Sequence, residues 1–279
     1  MGATQIACAQ LAPVFGDVDA NRARAAEAVQ SAARAGADLV VLPELCTTGY
    51  AFADESEACE LGEPADGPTL AQWRALAAAN QVVIVGGFCE IDAEGSPRNS
   101  ALVVDHDGSS RLYRKAHLWD REQLIFVAGN EPPPVIGTSA GRVGIAICYD
   151  AFFPEVMRGL ALAGADVIAV PMNSPVLDAP TEPLAAEVVL ALASAQVNRV
   201  YVAQADRAGP ERGIRWANAS AICDPEGRLL AGPVTGPTIL LAACDLERAR
   251  DKALGARNHV LADRRPHLYA TTNDKETVN

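Results

Sequence analysis

The sequence predicts an α/β protein built as a four-layer α-β-β-α sandwich from two related halves. Short apolar, β-branched runs alternate with Ala-rich stretches of helical period along the chain. Two passages recur. Ala35-Gly-Ala-Asp-Leu-Val-Val-Leu-Pro-Glu44 is echoed by Ala163-Gly-Ala-Asp-Val-Ile-Ala-Val-Pro-Met172, and Ser100-Ala-Leu-Val103 with Asp107-Gly108 is echoed by Ser220-Ala-Ile-Cys223 with Glu226-Gly227. Each half then supplies a mixed sheet with helices on one side, and stacking the two buries both inner faces. A single open doubly wound sheet is the competing arrangement. No Pro/Gly/Ser-rich linker separates the halves, so one domain is expected over residues 1–270, with a C-terminal arm at about 245–270 and a polar tail at 271–279.

Thr4 to Leu11 reads as the first strand, followed by an Ala-rich helix that Asp17 or Asp19 caps and Gly36 ends. Asp38 to Leu42 is almost wholly apolar, as a strand covered on both faces should be, and it runs into Pro43-Glu44. Residues 46–67 read as a long polar loop with two turns, and Pro68-Thr69 starts a helix over 68–80. Gln81 to Ile91 is a strand weakened by Gly86-Gly87, and Asn99–Asp105 with Ser110–Arg114 forms a hairpin around Asp107-Gly108. Beyond it come strand Arg142–Cys148, helix 153–163, strand 166–170, helix 182–198, strand 200–205, a hairpin around Glu226-Gly227 and strand 237–244.

With 279 residues, 49% of them hydrophobic, the chain can bury a sizeable core. A net charge of -12 and a pI near 4.8 argue against nucleic acid and anionic membrane surfaces, which leaves a small molecule as the expected partner. Met1-Gly-Ala-Thr-Gln5 has neither the charge nor the apolar core of a secretory signal, and no apolar run reaches the ~20 residues of a membrane span. A cytoplasmic location is therefore expected. Seven scattered cysteines form no Cys-x-x-Cys pair and the four histidines no His-x-x-x-His spacing, so neither a disulfide framework, nor a metal, nor a cofactor is expected.

Reactive side chains collect where strands end: Glu44, Lys115 in Tyr113-Arg-Lys-Ala-His117, and Cys148. Each alone has a bland reading, as a loop cap, a solvated cation and a small core residue. Together they meet the needs of one reaction. A thiol with an ordinary pKa near ~8.5 needs a base, which Glu44 can be, and the oxyanion formed when it adds to an amide carbonyl needs a fixed cation, which Lys115 can be. Glu44, once protonated, can return the proton to the leaving ammonia.

Leu42-Pro-Glu44, Arg114-Lys-Ala-His-Leu118 and Gly144-Ile-Ala-Ile-Cys-Tyr-Asp150 followed by Phe153-Pro-Glu155 resemble the nitrilase, or carbon–nitrogen hydrolase, superfamily, from Ile6 to about Tyr269. The resemblance implies Cys148 as nucleophile, Glu44 as general base, Lys115 as stabiliser of the tetrahedral intermediate and a thioester acyl-enzyme. It also implies Glu122 as a second, substrate-orienting glutamate, the α-β-β-α sandwich, and homodimers. Tyr149-Asp150-x-x-Phe153-Pro-Glu155 is similar to the amidase side of the superfamily, and Asp263-Arg-Arg-Pro-His-Leu-Tyr269 to the arm of bacterial aliphatic amidases. A small aliphatic amide is thus the expected substrate, with an N-carbamoyl compound or a nitrile as the alternative. The Tyr149 N–H is expected to complete the oxyanion hole, and Met172, Asn173, Tyr50, Trp119 and Phe153 to line the pocket.

Gly137-Thr-Ser139-Ala-Gly141 fits Gly-x-Ser-x-Gly, but a nucleophile elbow needs a strand before it and a helix after it. Here three prolines precede it and a strand follows, so Ser139 is expected in a turn. His117 is expected to support its loop rather than to partner Cys148. A silent scaffold of the same fold would need none of Glu44, Lys115, Glu122 and Cys148.

Overall fold

The computed structural model describes residues 2–176 and 184–269. β1 (Thr4–Gln10) leads into α1 (Val18–Arg34), whose first turn is capped by the Asp17 carboxylate accepting from the Ala20 N–H. β2 (Leu39–Val41) is wholly buried, as its apolar run requires. The expected loop at 46–67 is interrupted by α2 (Glu55–Leu61). Its start is a reciprocal cap: Asp54 accepts from the Glu57 N–H at 3.0 Å, and Glu57 accepts from the Ala53 N–H at 2.7 Å. The Asp-x-x-Glu spacing carries that signal, but the polar surroundings mask it. α3 (Pro68–Asn80) starts at Pro68, where the missing N–H costs nothing, and packs Trp73 fully buried against the first sheet.

β3 (Val83–Ile91) runs unbroken through Gly86-Gly87. These glycines admit close neighbours instead of weakening the strand. A Cβ at Gly86 would lie 2.5 Å from the Trp73 ring, and one at Gly87 would lie 2.6 Å from the Glu44 Cα. β4 (Pro97–Val104) and β5 (Ser110–Arg114) follow as the expected hairpin.

In the second half, β6 (Val135–Thr138) precedes β7 (Gly141–Ile145), and Ser139-Ala140 is the turn between them. β6 escapes sequence reading because it is four residues long, only partly buried and placed at a sheet edge behind three prolines. α4 (Pro154–Leu162), β8 (Val167–Pro171), α5 (Ala186–Asn198), β9 (Tyr201–Ala205), β10 (Ala221–Cys223) and β11 (Leu229–Ala231) complete the half. Residues 182 and 183 of the expected helix, and the tail from 270 onward, lie outside the described residues. β12 (Thr238–Cys244), α6 (Leu246–Arg250), β13 (Ala253–Gly255) and β14 (Asn258–His259) lead into the arm.

The strands form two six-stranded sheets, β12-β1-β2-β3-β4-β5 and β11-β10-β9-β8-β7-β6. In each sheet three central strands are parallel and the flanking ones antiparallel, so β6 to β11 repeat the pattern of β12 followed by β1 to β5. The internal repeat is therefore real, but the first half borrows its sixth strand from the far end of the chain.

The inner faces meet in one apolar cluster that includes Ile6, Val41 and Val85 from the first sheet and Val143, Val167 and Tyr201 from the second. α1 and α3 cover the outer face of the first sheet, with Val29 and Trp73 against Val40 and Ile84. α4 and α5 cover that of the second, with Leu160 and Val188 against Ile168 and Val202. This is the four-layer α-β-β-α sandwich. Each fully buried Val, Leu or Ile in these layers contributes roughly 1.5–3 kcal/mol. Among the described residues no helix is long and apolar enough to cross a membrane.

Candidate active site

β2 and β5 run in the same direction in the first sheet, as β7 and β8 do in the second, and the turns that follow these strands carry the reactive groups. Glu44 sits directly before Leu45, whose φ of 46° turns the chain back past Gly87. Lys115 follows β5, with its N–H bonded to the Asn99 carbonyl at 2.9 Å. Glu122 lies in a 3-10 turn over Asp120–Leu124, and Cys148 opens another over Cys148–Phe152. The expected strand to Cys148 thus ends earlier, at Ile145, because Cys148 takes a left-handed φ of 46° that no strand can hold.

Lys115 is the hub. Its Nζ donates to Glu44 Oε1 at 2.7 Å and to Glu122 Oε1 at 2.8 Å, and all three side chains are buried. Asn99 Nδ2 donates to the same Glu44 Oε1 at 2.7 Å, and the Tyr50 hydroxyl donates to Glu122 Oε1 at 2.6 Å. The Trp119 N–H reaches Glu122 Oε2 at 3.2 Å. Glu44 Oε2 is buried and has no hydrogen-bond partner among the described residues. The Cys148 thiol points to the Asn173 carbonyl at 3.7 Å, while Asn173 Nδ2 donates to the Glu44 carbonyl at 2.8 Å. Asn173 so ties the Cys148 segment to the Glu44 turn.

Burial pushes the Glu44 carboxyl up to about 7, against the opposing pull of Lys115, and Glu122 adds to the rise. Burial likewise raises the Cys148 thiol well above its ordinary value, and the Glu44 charge adds to this more than Lys115 removes. Burial acts to lower the Lys115 ammonium, but Glu122 and Glu44 outweigh it and hold that pKa well above the usual lysine value. The resting site therefore holds a thiol beside a carboxyl that titrates near neutrality and a permanent cation.

Two cavities open on this cluster. One of about 180 Å³ is lined by Cys148, Tyr149, Phe152, Asn173, Ser174 and Glu187, with Trp119 and Pro175 in its wall. The other, about 660 Å³, is lined by Tyr50, Glu122, Phe126 and Arg215, and shares Trp119 and Pro175. The sequence profile of the carbon–nitrogen hydrolase family matches residues 5–253. This chain is a carbon–nitrogen hydrolase of the nitrilase superfamily. It is similar to a nitrilase of Pyrococcus abyssi, 37% identical over 267 residues that cover 95% of this chain and 98% of that one. It is also 32% identical to the N-carbamoylputrescine amidase of Solanum lycopersicum, covering 96% and 93% of the two chains. Among solved structures, an amidase from Nesterenkonia sp. superposes with a TM-score of 0.78 at 24% identity, covering 96% and 95% of the chains. A structure of a variant of that amidase carries the acetamide moiety of fluoroacetamide covalently added at its active-site cysteine. As a member of this family the hydrolase acts on non-peptide C–N bonds.

In the hydrolase, Glu44, Lys115 and Glu122 form one hydrogen-bonded cluster, Cys148 lies against it through Asn173, and Tyr50 joins through Glu122. Tyr149 and Asn173 line the cavity at Cys148, as does Trp119. Met172 does not. It is buried in the outer cluster with Val170, Val188 and Val202, because successive side chains leaving β8 point to opposite faces and Asn173 takes the inner one. Phe153 also misses the cavity and stacks on His117 at 3.8 Å. Ser139 is bonded through its N–H and hydroxyl to Asp105, in the β6–β7 turn.

Three supports were missed in sequence. Asp150 is buried and takes hydrogen bonds from the Tyr113 hydroxyl, the His117 N–H and the Ile147 N–H, which locks the Lys115 segment to the Cys148 turn. Asn99 holds Glu44 from β4. The third is a buried pair, Arg207 with Glu211 at 2.6 Å, in which Glu211 Oε1 also accepts the N–H groups of Tyr50 and Ala51. Arg207 lies over the Trp216 ring, which meets Tyr50 edge-on, so this pair fixes the backbone that presents Tyr50 to Glu122. In the sequence two of these supports show only as an Asp two residues after a candidate Cys and as an Arg-x-x-x-Glu spacing, neither of which identifies the partners.

Proposed function

We propose that the hydrolase cleaves small carboxamides to the carboxylic acid and ammonia through a thioester on Cys148. The observation that carries this reading is the hydrogen-bond count at the hub. Lys115 has three N–H donors and spends two on Glu44 and Glu122, leaving one for a substrate oxygen. Glu44 spends Oε1 on Lys115 and Asn99, leaving Oε2 as a buried lone-pair acceptor.

Glu44 takes the proton from the thiol as sulfur adds to the amide carbon. The oxyanion so formed is held by Lys115 and by the Tyr149 N–H, which stands in the first turn of a 3-10 helix where N–H groups lack a partner within the turn. The C–N bond breaks as Glu44 returns the proton to nitrogen, and ammonia leaves. Water, deprotonated by Glu44, then adds to the thioester, and the carboxylic acid leaves as the thiol is restored. Glu122, fixed by Tyr50 and Lys115, orients the amide nitrogen. The acetamide moiety added to the active-site cysteine of the Nesterenkonia amidase supports the nucleophilic role of the cysteine. The nitrilase and N-carbamoylputrescine amidase relatives support the alternative, a nitrile or an N-carbamoyl compound reacting at the same residues.

One domain over 1–270, working as a cytoplasmic homodimer, belongs to this reading. Leu162 of α4 and Val189 and Val197 of α5 are exposed, which suits a helix face that pairs with a second copy.

The test is ammonia release over a panel of amides, nitriles and N-carbamoyl compounds, with intact-mass detection of the acyl-enzyme. Turnover of amides with a mass increment on Cys148 is expected, and conversion of nitriles with amides left untouched would refute the assignment. A second prediction concerns pH. With the Glu44 carboxyl near 7, the base is protonated below that value, so kcat/KM should fall about tenfold per pH unit on the acid side and level off above pH 7. A flat profile from pH 5 to 8 would remove Glu44 from the role of base.

A further inference from the structure

We infer that the 180 Å³ cavity receives the acyl side of the substrate and that Glu187, in its wall, selects acyl chains ending in a cation. The inference rests on the amidase reading above. Tyr50 and Glu122 line only the larger chamber, whereas Cys148 and Asn173 line only the smaller one. A carbonyl carbon on the Cys148 sulfur sits where the two meet. Its nitrogen faces the Glu122 side, so its carbon chain extends into the smaller cavity, which has room for about six water-sized groups.

That cavity is built for a particular end group. Trp119 meets Tyr149 edge-on at 4.8 Å and Tyr149 meets Phe152 at 5.5 Å, giving three aromatic rings in one wall. Aromatic faces attract cations and do nothing for anions. Glu187, half-buried in the first turn of α5, adds one carboxylate. Among the described residues no Lys, Arg or His lines the cavity and Glu187 has no ion-pair partner. Residues 177–183, just before α5, contain no Lys, Arg or His either. The helix start accounts for an acid at this position but not for its facing the nucleophile's cavity. A half-buried carboxylate set among aromatic rings is a ready partner for a cation that a ligand brings. A primary ammonium about four methylenes from the carbonyl has the charge and the length to be that cation.

The experiment compares 5-aminopentanamide with hexanamide, which differ in charge at nearly constant shape. The wild-type enzyme is expected to favour the ammonium amide in kcat/KM by about 10- to 100-fold, the range of one charged hydrogen bond. Glu187→Gln should bring that ratio close to one, and Glu187→Arg should shift preference to the monoamide of glutaric acid, with melting curves reporting the fold of each variant. Independently of any variant, pentylammonium should inhibit the unmodified enzyme at lower concentration than 1-pentanol does. Turnover of both amides at similar rates by the wild type, or a preference that Glu187→Gln leaves intact, would overturn the subsite while keeping the amidase. Absence of turnover and of a Cys148 adduct with every amide would instead remove the reaction, and the subsite with it.

Discussion

Cys148→Ala is expected to lower amide turnover by at least about 10,000-fold and to abolish the acyl mass increment, because loss of a nucleophile leaves only binding and oxyanion stabilisation. The fold should survive. Cys148 is buried at the edge of the inter-sheet cluster, and removing one sulfur atom there costs about 1 kcal/mol. Its φ of 46° is imposed by the turn that Asp150 ties to Ile147 and His117, a constraint that alanine meets with the same Cβ as cysteine. Melting curves of the two proteins should therefore nearly coincide while progress curves diverge. Residual turnover within tenfold of wild type would place the nucleophile elsewhere.

Lys115→Met should damage both activity and stability. The lost oxyanion donor alone raises the barrier by about 3 kcal/mol. Removal of the ammonium also leaves Glu44 and Glu122 buried and facing one another with no cation, a loss of about 3–5 kcal/mol for a broken buried ion pair. The pH dependence follows from sign. Without Lys115 the Glu44 carboxyl, already raised by burial, loses the cation that pulls it down and rises further above its unfolded value, so the folded variant binds protons that the unfolded chain has released. Its stability deficit is then small at pH 5 and grows as pH rises towards 8. Denaturant melts at the two pH values measure this, and a variant as stable as wild type at pH 8 would contradict the buried pairing. Lys115→Arg should not restore turnover, since a planar guanidinium cannot direct three tetrahedral donors at Glu44, Glu122 and substrate.

How much of this site was legible in the sequence depends on how far each residue's chemistry declares itself. Glu44, Lys115 and Cys148 stood out because a base, a cation and a thiol at strand ends satisfy one reaction. Glu122 had no such signature and came only through family resemblance. Asp150 stood in view two residues from Cys148, yet its role depends on Tyr113 and His117, which only the folded hairpin brings to it. The Arg207–Glu211 pair was illegible because its partners at Tyr50 and Pro13 lie in the opposite half of the chain.

The fold shows the same division. Repeats and apolar runs gave the two layers and their helices, whereas α2 and β6 were too short for periodicity to register. Met172 follows its repeated strand as Glu44 follows β2, yet its side chain packs in the outer layer, since equivalence of backbone does not oblige a side chain to face the same layer.

The position of β12 bears on how the molecule is made. Its pairing with β1 sets Thr4 against Cys244, so the first sheet is complete only when nearly the whole chain is available. A nascent chain that has emerged as far as β5 presents β1 with one edge unpaired, an open template for aggregation during synthesis. Contacts of such sequence separation also slow folding, because the loop must close before the pairing repays it. Glu44 and Lys115 are presented by that unfinished sheet, which makes the active site a late product of folding although most of its residues are translated early.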